Sequence, residues 1–151
     1  MSRKDTEEFE RLYRAYQKEI SLSEGVEEFL DYCKAHNIFI AILTNGRTKS
    51  QYAKVIALDL HRWFDDDHIF ISGGIGYQKP DPMAFQYIEK MFSLNPEETW
   101  YIGDTYEADV VGADGAGWHT VWFNHRNRER LENCADVTVR SLSLIHISEP
   151  T

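Results

Sequence analysis

The sequence predicts an α/β fold in which helices cover both faces of a parallel sheet, giving three layers. Residues 38–43 form a continuous apolar run rich in β-branched side chains, which is typical of a strand buried on both faces. Three shorter apolar runs, at 69–71, 100–102 and 120–123, follow it and are separated by segments with helical periodicity. Strands that alternate with helices favour right-handed crossovers and therefore a parallel sheet.

Capping residues and apolar periodicity locate the helices. The first helix is predicted over roughly 7–20, with Asp5 or Thr6 as its N-cap. Asp81 followed by Pro82 is typical of an N-cap and a first helical position, so a helix is expected to begin there. The remaining predicted elements are a helix after Ser23, helices over about 48–58 and 107–114, a glycine loop at 73–76, and an edge strand at 137–139.

Composition excludes several functional classes. A formal net charge of −9 over 151 residues repels polyanions, so nucleic acid is not an expected partner, whereas a small phosphate ester needs only a local positive site. Cys33 and Cys134 do not form a close-spaced pair, which argues against a disulfide framework and a zinc site. No apolar run has signal-peptide or membrane-spanning character, so we expect a cytoplasmic protein without a membrane partner.

Thr44, Asn45 and Gly46 follow the first predicted strand directly. In open α/β sheets, ligands bind where the carboxyl ends of strands meet loops and helix N-termini. The Thr44 hydroxyl and the backbone N–H groups of Asn45 and Gly46 could donate to phosphate oxygens, and the glycine would allow a close approach. The same three residue types are also common in plain turns, so this loop alone leaves both interpretations open.

One lysine and two carboxylates complete the candidate site. Lys79 precedes Pro80 in a predicted loop, where its ammonium is either solvent-exposed or neutralises a phosphate. Asp104 ends a predicted strand, and Asp109 lies five residues on in the first turn of the next helix. Two such carboxylates can converge on a Mg²⁺ ion that keeps several waters, although they could equally cap and stabilise the helix.

The order of these motifs resembles that of the haloacid dehalogenase-like hydrolase superfamily. Thr44, Lys79 and the pair Asp104 and Asp109 match its second, third and fourth motifs. The resemblance covers roughly residues 20–142 and points to the branch with a helical cap, which includes small-molecule phosphatases and pyrimidine nucleotidases. It is strengthened by four flanking segments: Trp63-Phe64-Asp65, Gly76-Tyr77-Gln78-Lys79-Pro80-Asp81-Pro82, Ala113-Asp114-Gly115-Ala116-Gly117 and Val121-Trp122-Phe123-Asn124.

The resemblance implies a Rossmann-like core and Mg²⁺-dependent hydrolysis of small phosphate monoesters through an aspartyl-phosphate. It implies that Thr44 and Lys79 are catalytic and that Thr44, Asn45, Gly46 and Lys79 bind the phosphoryl group. It further implies that Asp104 binds the metal, while Asp109 holds a metal-bound water or Lys79. Mg²⁺ would then offset charge on the phosphoryl oxygens during transfer.

The family's first motif, an Asp-x-Asp after the first strand, does not occur upstream of Thr44. Residues 65–67 fit the Asp-x-Asp pattern, but they lie between a helix and a later strand and not after the first strand. Because the first Asp would be the nucleophile, we expect this chain to be an inactive second half of a longer enzyme, whose central strand and most of whose cap are missing. A non-catalytic module that binds phosphate or a partner through the same fold is the alternative.

The expected organisation follows from this resemblance. Residues 1–20 are predicted to be a remnant of the helical cap, and residues 21–142 the core. Residues 143–151 show no helical period and are predicted to be a non-native or disordered tail.

Overall fold

A computed structural model describes residues 2–141 of the chain. Short 3₁₀ turns lie at Leu60–Arg62, Asp66–His68 and Pro96–Glu98. The elements are, in order, α1 (Arg3–Glu19), α2 (Val26–Ala35), β1 (Ile42–Thr44), α3 (Thr48–Ala57), β2 (Ile69–Ile71), α4 (Ser72–Ile75), α5 (Pro82–Phe92), β3 (Trp100–Gly103), a π-helical segment (Tyr106–Val111), α6 (Gly112–Gly115), β4 (His119–Phe123) and β5 (Val137–Val139).

All strand pairs in the described part of the chain are parallel. β1 pairs with β2, while β3, β4 and β5 form a second sheet in that order. Helices cover both faces of the first sheet: Leu43 packs into a buried cluster with Phe85 of α5, whereas Ile42 packs against a cluster that contains Val55 of α3. The predicted α/β class with parallel strands between helical layers is therefore confirmed.

The first strand is shorter than the sequence predicts. Only Ile42–Thr44 is a strand, and Ile38 and Phe39 are 41% and 43% exposed, so the expectation of a strand over 38–43 buried on both faces is wrong for residues 38–41. The reason lies in its neighbours. β2 offers only Ile69–Ile71 as partners, and no backbone ladder joins β1 to β3 within residues 2–141. An apolar run that lacks a hydrogen-bonding partner does not form a ladder, whatever its composition.

The first helix begins earlier than predicted, at Arg3. Ser2 is its N-cap, and the Asp5 backbone N–H donates to Ser2 Oγ at 3.1 Å. The Asp5 carboxylate in turn accepts hydrogen bonds from Ser2, so the two residues form a capping box. Asp5 is therefore the third helical residue of this box and not the N-cap.

Helix α1 packs directly on α3. The Lys49 ammonium lies 2.9 Å from an Asp5 carboxylate oxygen and 3.0 Å from a Glu8 oxygen. Further along, the rings of Phe9 and Tyr52 lie 6.3 Å apart. These contacts place α1 beside the helix that follows Thr44; a division of the chain into a cap remnant at 1–20 and a core at 21–142 stays a prediction.

Two of the predicted helices and the predicted glycine loop agree with the structure to different degrees. Asp81 caps α5 by accepting from the Met83 N–H at 2.9 Å, as expected. The glycine segment 73–76 lies largely in the single-turn helix α4 rather than in a loop. The helix predicted over 107–114 begins at Tyr106 and is π-helical before it becomes α6. The tail predicted at 143–151 lies outside the described residues.

Candidate functional site

The predicted site residues lie at the carboxyl ends of the strands. Thr44 is the last residue of β1, and Asp104 directly follows β3. Lys79 lies in the loop before α5, and Asp109 lies in the π-helical segment after β3. Because parallel strands present their carboxyl ends at one edge, these loops converge there.

Lys79 and Asp109 form a buried ion pair. Lys79 Nζ lies 2.5 Å from Asp109 Oδ1, and the two side chains are only 10% and 6% exposed. The second Asp109 oxygen accepts from the Thr105 backbone N–H at 3.0 Å. Both carboxylate oxygens therefore have a donor, as a buried charge requires.

Gly103 makes room for this carboxylate. A Cβ atom at position 103 would lie 2.3 Å from the Cγ and Oδ2 atoms of Asp109. The end of β3 can therefore approach Asp109 only because residue 103 has no side chain.

Tyr101 supplies a second partner to the lysine. Lys79 Nζ donates to the Tyr101 phenol oxygen at 3.0 Å, and the phenol donates to the Leu43 carbonyl oxygen at 2.7 Å. Burial, reinforced by the nearby charges of Asp109 and Asp104, raises the pKa of Tyr101 well above its ordinary value. The phenol therefore stays protonated. It donates its hydrogen bond to the Leu43 carbonyl oxygen and accepts one from the Lys79 ammonium.

Asp104 faces His125 and Arg126 rather than Lys79. One of its carboxylate oxygens lies 3.0 Å from His125 Nε2 and 3.4 Å from an Arg126 guanidinium nitrogen, while the other accepts from the Thr105 hydroxyl at 3.2 Å. Partial burial alone would raise the pKa of Asp104, but the hydrogen bond from His125 and the charge of Arg126 hold it below its usual value. Asp104 is thus ionised and about one-third exposed, with a side-chain exposure of 38%.

The Thr44–Gly46 loop is held by its own hydrogen bonds. The Thr44 hydroxyl donates to Gln51 Oε1 at 2.9 Å, and the Gly46 N–H donates to Ser72 Oγ at 2.8 Å. Asn45 turns its side chain towards the lysine loop: its Nδ2 donates to the Lys79 carbonyl and its Oδ1 accepts from the Lys79 N–H, both at 2.9 Å. The Gly46 amide is therefore already engaged, and the Asn45 carboxamide contacts Lys79.

A recess of about 600 Å³ opens beside this loop. The recess is lined by Gly46, Arg47, Ser72, Gly73, Gly76, Tyr77, Gln78 and Asp81.

Sequence reasoning missed the groups that hold the predicted residues in place. Tyr101 lies in a strand, and His125 and Arg126 follow the end of β4, so the only signal for them was their position at this edge of the sheet. The contact of the Asn45 side chain with Lys79 had no local signal, because the two residues are 34 positions apart.

The oxygen ligands that the site offers are of the type that Mg²⁺ prefers. Asp104 and Asp109 offer carboxylate oxygens, and a Mg²⁺ ion that keeps several waters needs few protein ligands. Among the side chains that the structure describes, the only group of three or more metal-type residues that comes together is Asp65, Asp67 and His68, whose ligand atoms lie within 4.8 Å of one another. That group precedes β2, at the amino end of its strand, and is separate from the predicted pair.

Comparison with known proteins shows the family of the chain. A family model described as haloacid dehalogenase-like hydrolase matches residues 1–123. The chain belongs to this family. It is 32% identical over 108 residues to a glyceraldehyde 3-phosphate phosphatase from Pyrococcus furiosus, a match that covers 72% of this chain and 44% of that protein.

Solved structures of the haloacid dehalogenase-like family share the fold. A phosphatase of this family from Thermococcus onnurineus has a TM-score of 0.81 at 27% identity, over 92% of this chain and 63% of that one. The hydrolase YfnB from Bacillus subtilis, solved bound to magnesium, has a TM-score of 0.70 at 31% identity, over 82% and 54% of the two chains. The predicted Rossmann-like class is confirmed, and the chain spans about half the length of the relatives it matches.

No helix within residues 2–141 combines the length and the apolar character needed to cross a bilayer.

Proposed function

We propose that this chain forms the phosphate- and Mg²⁺-binding part of a phosphatase that hydrolyses small phosphate monoesters, nucleotides among them. The observation that carries the proposal is the buried ion pair of Lys79 and Asp109 at the carboxyl edge of the strands, connected to the loop after Thr44 by Asn45. A lysine held this rigidly presents fixed positive charge, which phosphoryl transfer requires. Similarity to phosphatases of the same family supports the reaction class.

The described residues divide the work of binding. The Lys79 ammonium would offset charge on the phosphoryl group, and it has a third N–H donor beyond those used by Asp109 and Tyr101. The Thr44 hydroxyl would donate to a phosphoryl oxygen by turning away from Gln51. Gly46 could contribute its N–H only by releasing Ser72. Thr44 and Lys79 are therefore the proposed primary contacts.

Asp104 would hold Mg²⁺, because it is ionised, partly exposed and at the edge of the sheet. When bound, the ion supplies positive charge that stabilises the phosphoryl oxygens during transfer. Asp109 would contribute through a water, since both its oxygens already accept hydrogen bonds from Lys79 and Thr105. His125 and Arg126, which contact Asp104, would have to move aside for direct coordination.

The chain contains no Asp-x-Asp before Thr44 to act as nucleophile, so we propose that it binds phosphate without hydrolysing esters.

The test has two parts, done with the chain as it stands. Inorganic phosphate is titrated in the presence of Mg²⁺ and followed by calorimetry, and an aryl phosphate is assayed for turnover. We expect saturable phosphate binding that Lys79→Met weakens at least tenfold, with no turnover. Absence of phosphate binding would overturn the proposal, and Mg²⁺-dependent turnover would refute the missing-nucleophile argument.

A further inference from the structure

The side chain of Asn45 makes a reciprocal pair of hydrogen bonds with the backbone of Lys79. Its Nδ2 donates to the Lys79 carbonyl and its Oδ1 accepts from the Lys79 N–H, each at 2.9 Å. A carboxamide is the side chain that can meet a backbone N–H and C=O at once, since it carries one acceptor and two donors. The two bonds fix the position and the rotation of the Lys79 peptide groups relative to the end of β1.

The residue after Asn45 is anchored to the segment that follows β2. Gly46 donates to Ser72 Oγ at 2.8 Å, and the Gly73 N–H donates to the Gly46 carbonyl at 3.0 Å. The residues after β1 are thereby tied to the residues after β2, and Asn45 extends this connection to the lysine loop.

At the other end of the lysine, the ammonium is held by Asp109 and Tyr101. Lys79 is thus fixed both at its backbone, by Asn45, and at its charged end. A long lysine side chain has many rotamers, and fixing both ends leaves few of them accessible.

We infer that Asn45 is a positioning residue that sets the location of Lys79 and does not itself contact the phosphoryl group through its side chain. This inference rests on the proposed function, in which Lys79 offsets phosphoryl charge. It assigns to Asn45 a role different from direct phosphate binding by its carboxamide, because the Oδ1 acceptor and one of the two Nδ2 donors hold the carboxamide against the Lys79 backbone.

A double-mutant cycle separates the two roles. The affinity for inorganic phosphate in the presence of Mg²⁺ is measured for the wild-type chain, Asn45→Ala, Lys79→Met and the double variant. If Asn45 acts through Lys79, Asn45→Ala weakens phosphate binding roughly tenfold in the wild-type background and changes it little once Lys79 is Met. Equal losses in both backgrounds would show a direct contact and overturn the inference.

Hydrogen exchange at the Lys79 amide provides a readout that needs no phosphate. Asn45→Ala removes its acceptor, so exchange at Lys79 is expected to accelerate at least tenfold, while the Asp81 N–H, bonded to the Gln78 carbonyl, changes little. An unchanged rate at Lys79 would overturn the inference even if phosphate binding, and with it the proposed function, had failed.

Two further variants control for folding. Asn45→Asp keeps an oxygen acceptor for the Lys79 N–H, so it is expected to keep the Lys79 amide protected from exchange, and exchange as fast as in Asn45→Ala would contradict the assigned acceptor role of Oδ1. Asn95→Ala removes a comparable side-chain acceptor, for the Glu97 N–H at 3.1 Å, from another loop and is expected to leave phosphate affinity unchanged. An effect of Asn95→Ala as large as that of Asn45→Ala would show that general loosening, and not the contact with Lys79, governs binding.

Discussion

The Tyr101 phenol donates a hydrogen bond of 2.7 Å to the carbonyl oxygen of Leu43 and so joins β3 to β1, two strands that no backbone ladder connects within residues 2–141. Leu43 is buried, and its carbonyl has no strand partner on this side. The phenol thus satisfies a backbone acceptor that a neighbouring strand would otherwise occupy. The same hydroxyl accepts from Lys79, so one group links the two sheets and the candidate site.

Removal of this hydroxyl should cost stability. Tyr101→Phe leaves the Leu43 carbonyl without its donor, and an unsatisfied buried acceptor costs about 1–3 kcal/mol. We expect a decrease of this size in the free energy of unfolding, measured by urea denaturation. Tyr87→Phe is the matched control, because Tyr87 packs edge-on against Phe70 and donates no hydrogen bond within residues 2–141. Equal losses in the two variants would contradict the bridging role.

Asp109→Asn should be among the most destabilising single changes in the chain. It removes the charge that compensates Lys79, whose side chain is 10% exposed, and breaking a buried pair typically costs about 3–5 kcal/mol. Urea denaturation measures the loss. Asp114→Asn alters an exposed aspartate of α6 and should change stability by less than about 0.5 kcal/mol. A loss below about 1 kcal/mol for Asp109→Asn would show that the pair contributes little.

Gly103→Ala should displace Asp109 without changing any charge. The added Cβ would lie 2.3 Å from the Asp109 carboxyl atoms, so either the π-helical segment or β3 has to shift. We expect both a lower stability and weaker phosphate binding, measured by denaturation and calorimetry. In the control Gly115→Ala, the nearest atom to the new Cβ, on Pro82, is 3.8 Å away, an ordinary contact. Normal phosphate affinity in Gly103→Ala would show that the position of Asp109 is not critical.

The contact between α1 and α3 should weaken in acid. The pKa of Asp5 is lowered to about 2, chiefly by its hydrogen bond from Ser2 and then by Lys49. Because this folded-state pKa lies below the unfolded value, the contribution of Asp5 is complete above the unfolded pKa of about 3.9 and is lost as the pH falls through 2. Carboxyl NMR titration should show the depressed pKa, and Ser2→Ala should raise it. An ordinary Asp5 pKa in the wild-type chain would contradict the capping box and the ion pair.

Metal binding should distinguish the two groups of carboxylates. Mn²⁺, used as a paramagnetic probe for Mg²⁺, is expected to broaden NMR signals near Asp104 first, and Asp104→Asn should remove this effect. Asp65→Asn tests the separate group of Asp65, Asp67 and His68 and should leave the broadening near Asp104 unchanged. Broadening confined to the neighbourhood of Asp65 would overturn the metal assignment at Asp104. In a full-length phosphatase that contains this segment, Asp104→Asn should abolish Mg²⁺-dependent hydrolysis.

The class of fold, the order of the motifs and the ends of the best-capped elements are predictable from the amino-acid sequence. The N-cap at Asp81 and the strand at 69–71 were predictable because each depends on residues a few positions apart. The candidate site could be located for a related reason. Thr44 and Asp104 end or directly follow strand-like runs, Lys79 lies in the loop before the capped helix α5, and parallel strands bring their carboxyl ends to one edge.

The contacts between polar groups follow from the packing of the folded chain. Asn45 reaches a residue 34 positions away, and Tyr101 reaches one 58 positions away, so no local pattern encodes either contact. The length of β1 was likewise decided by its partners, since an apolar run becomes a strand only where another strand supplies hydrogen bonds. Local propensity is set by neighbours along the chain, whereas the pairing of polar groups depends on distances that packing alone establishes.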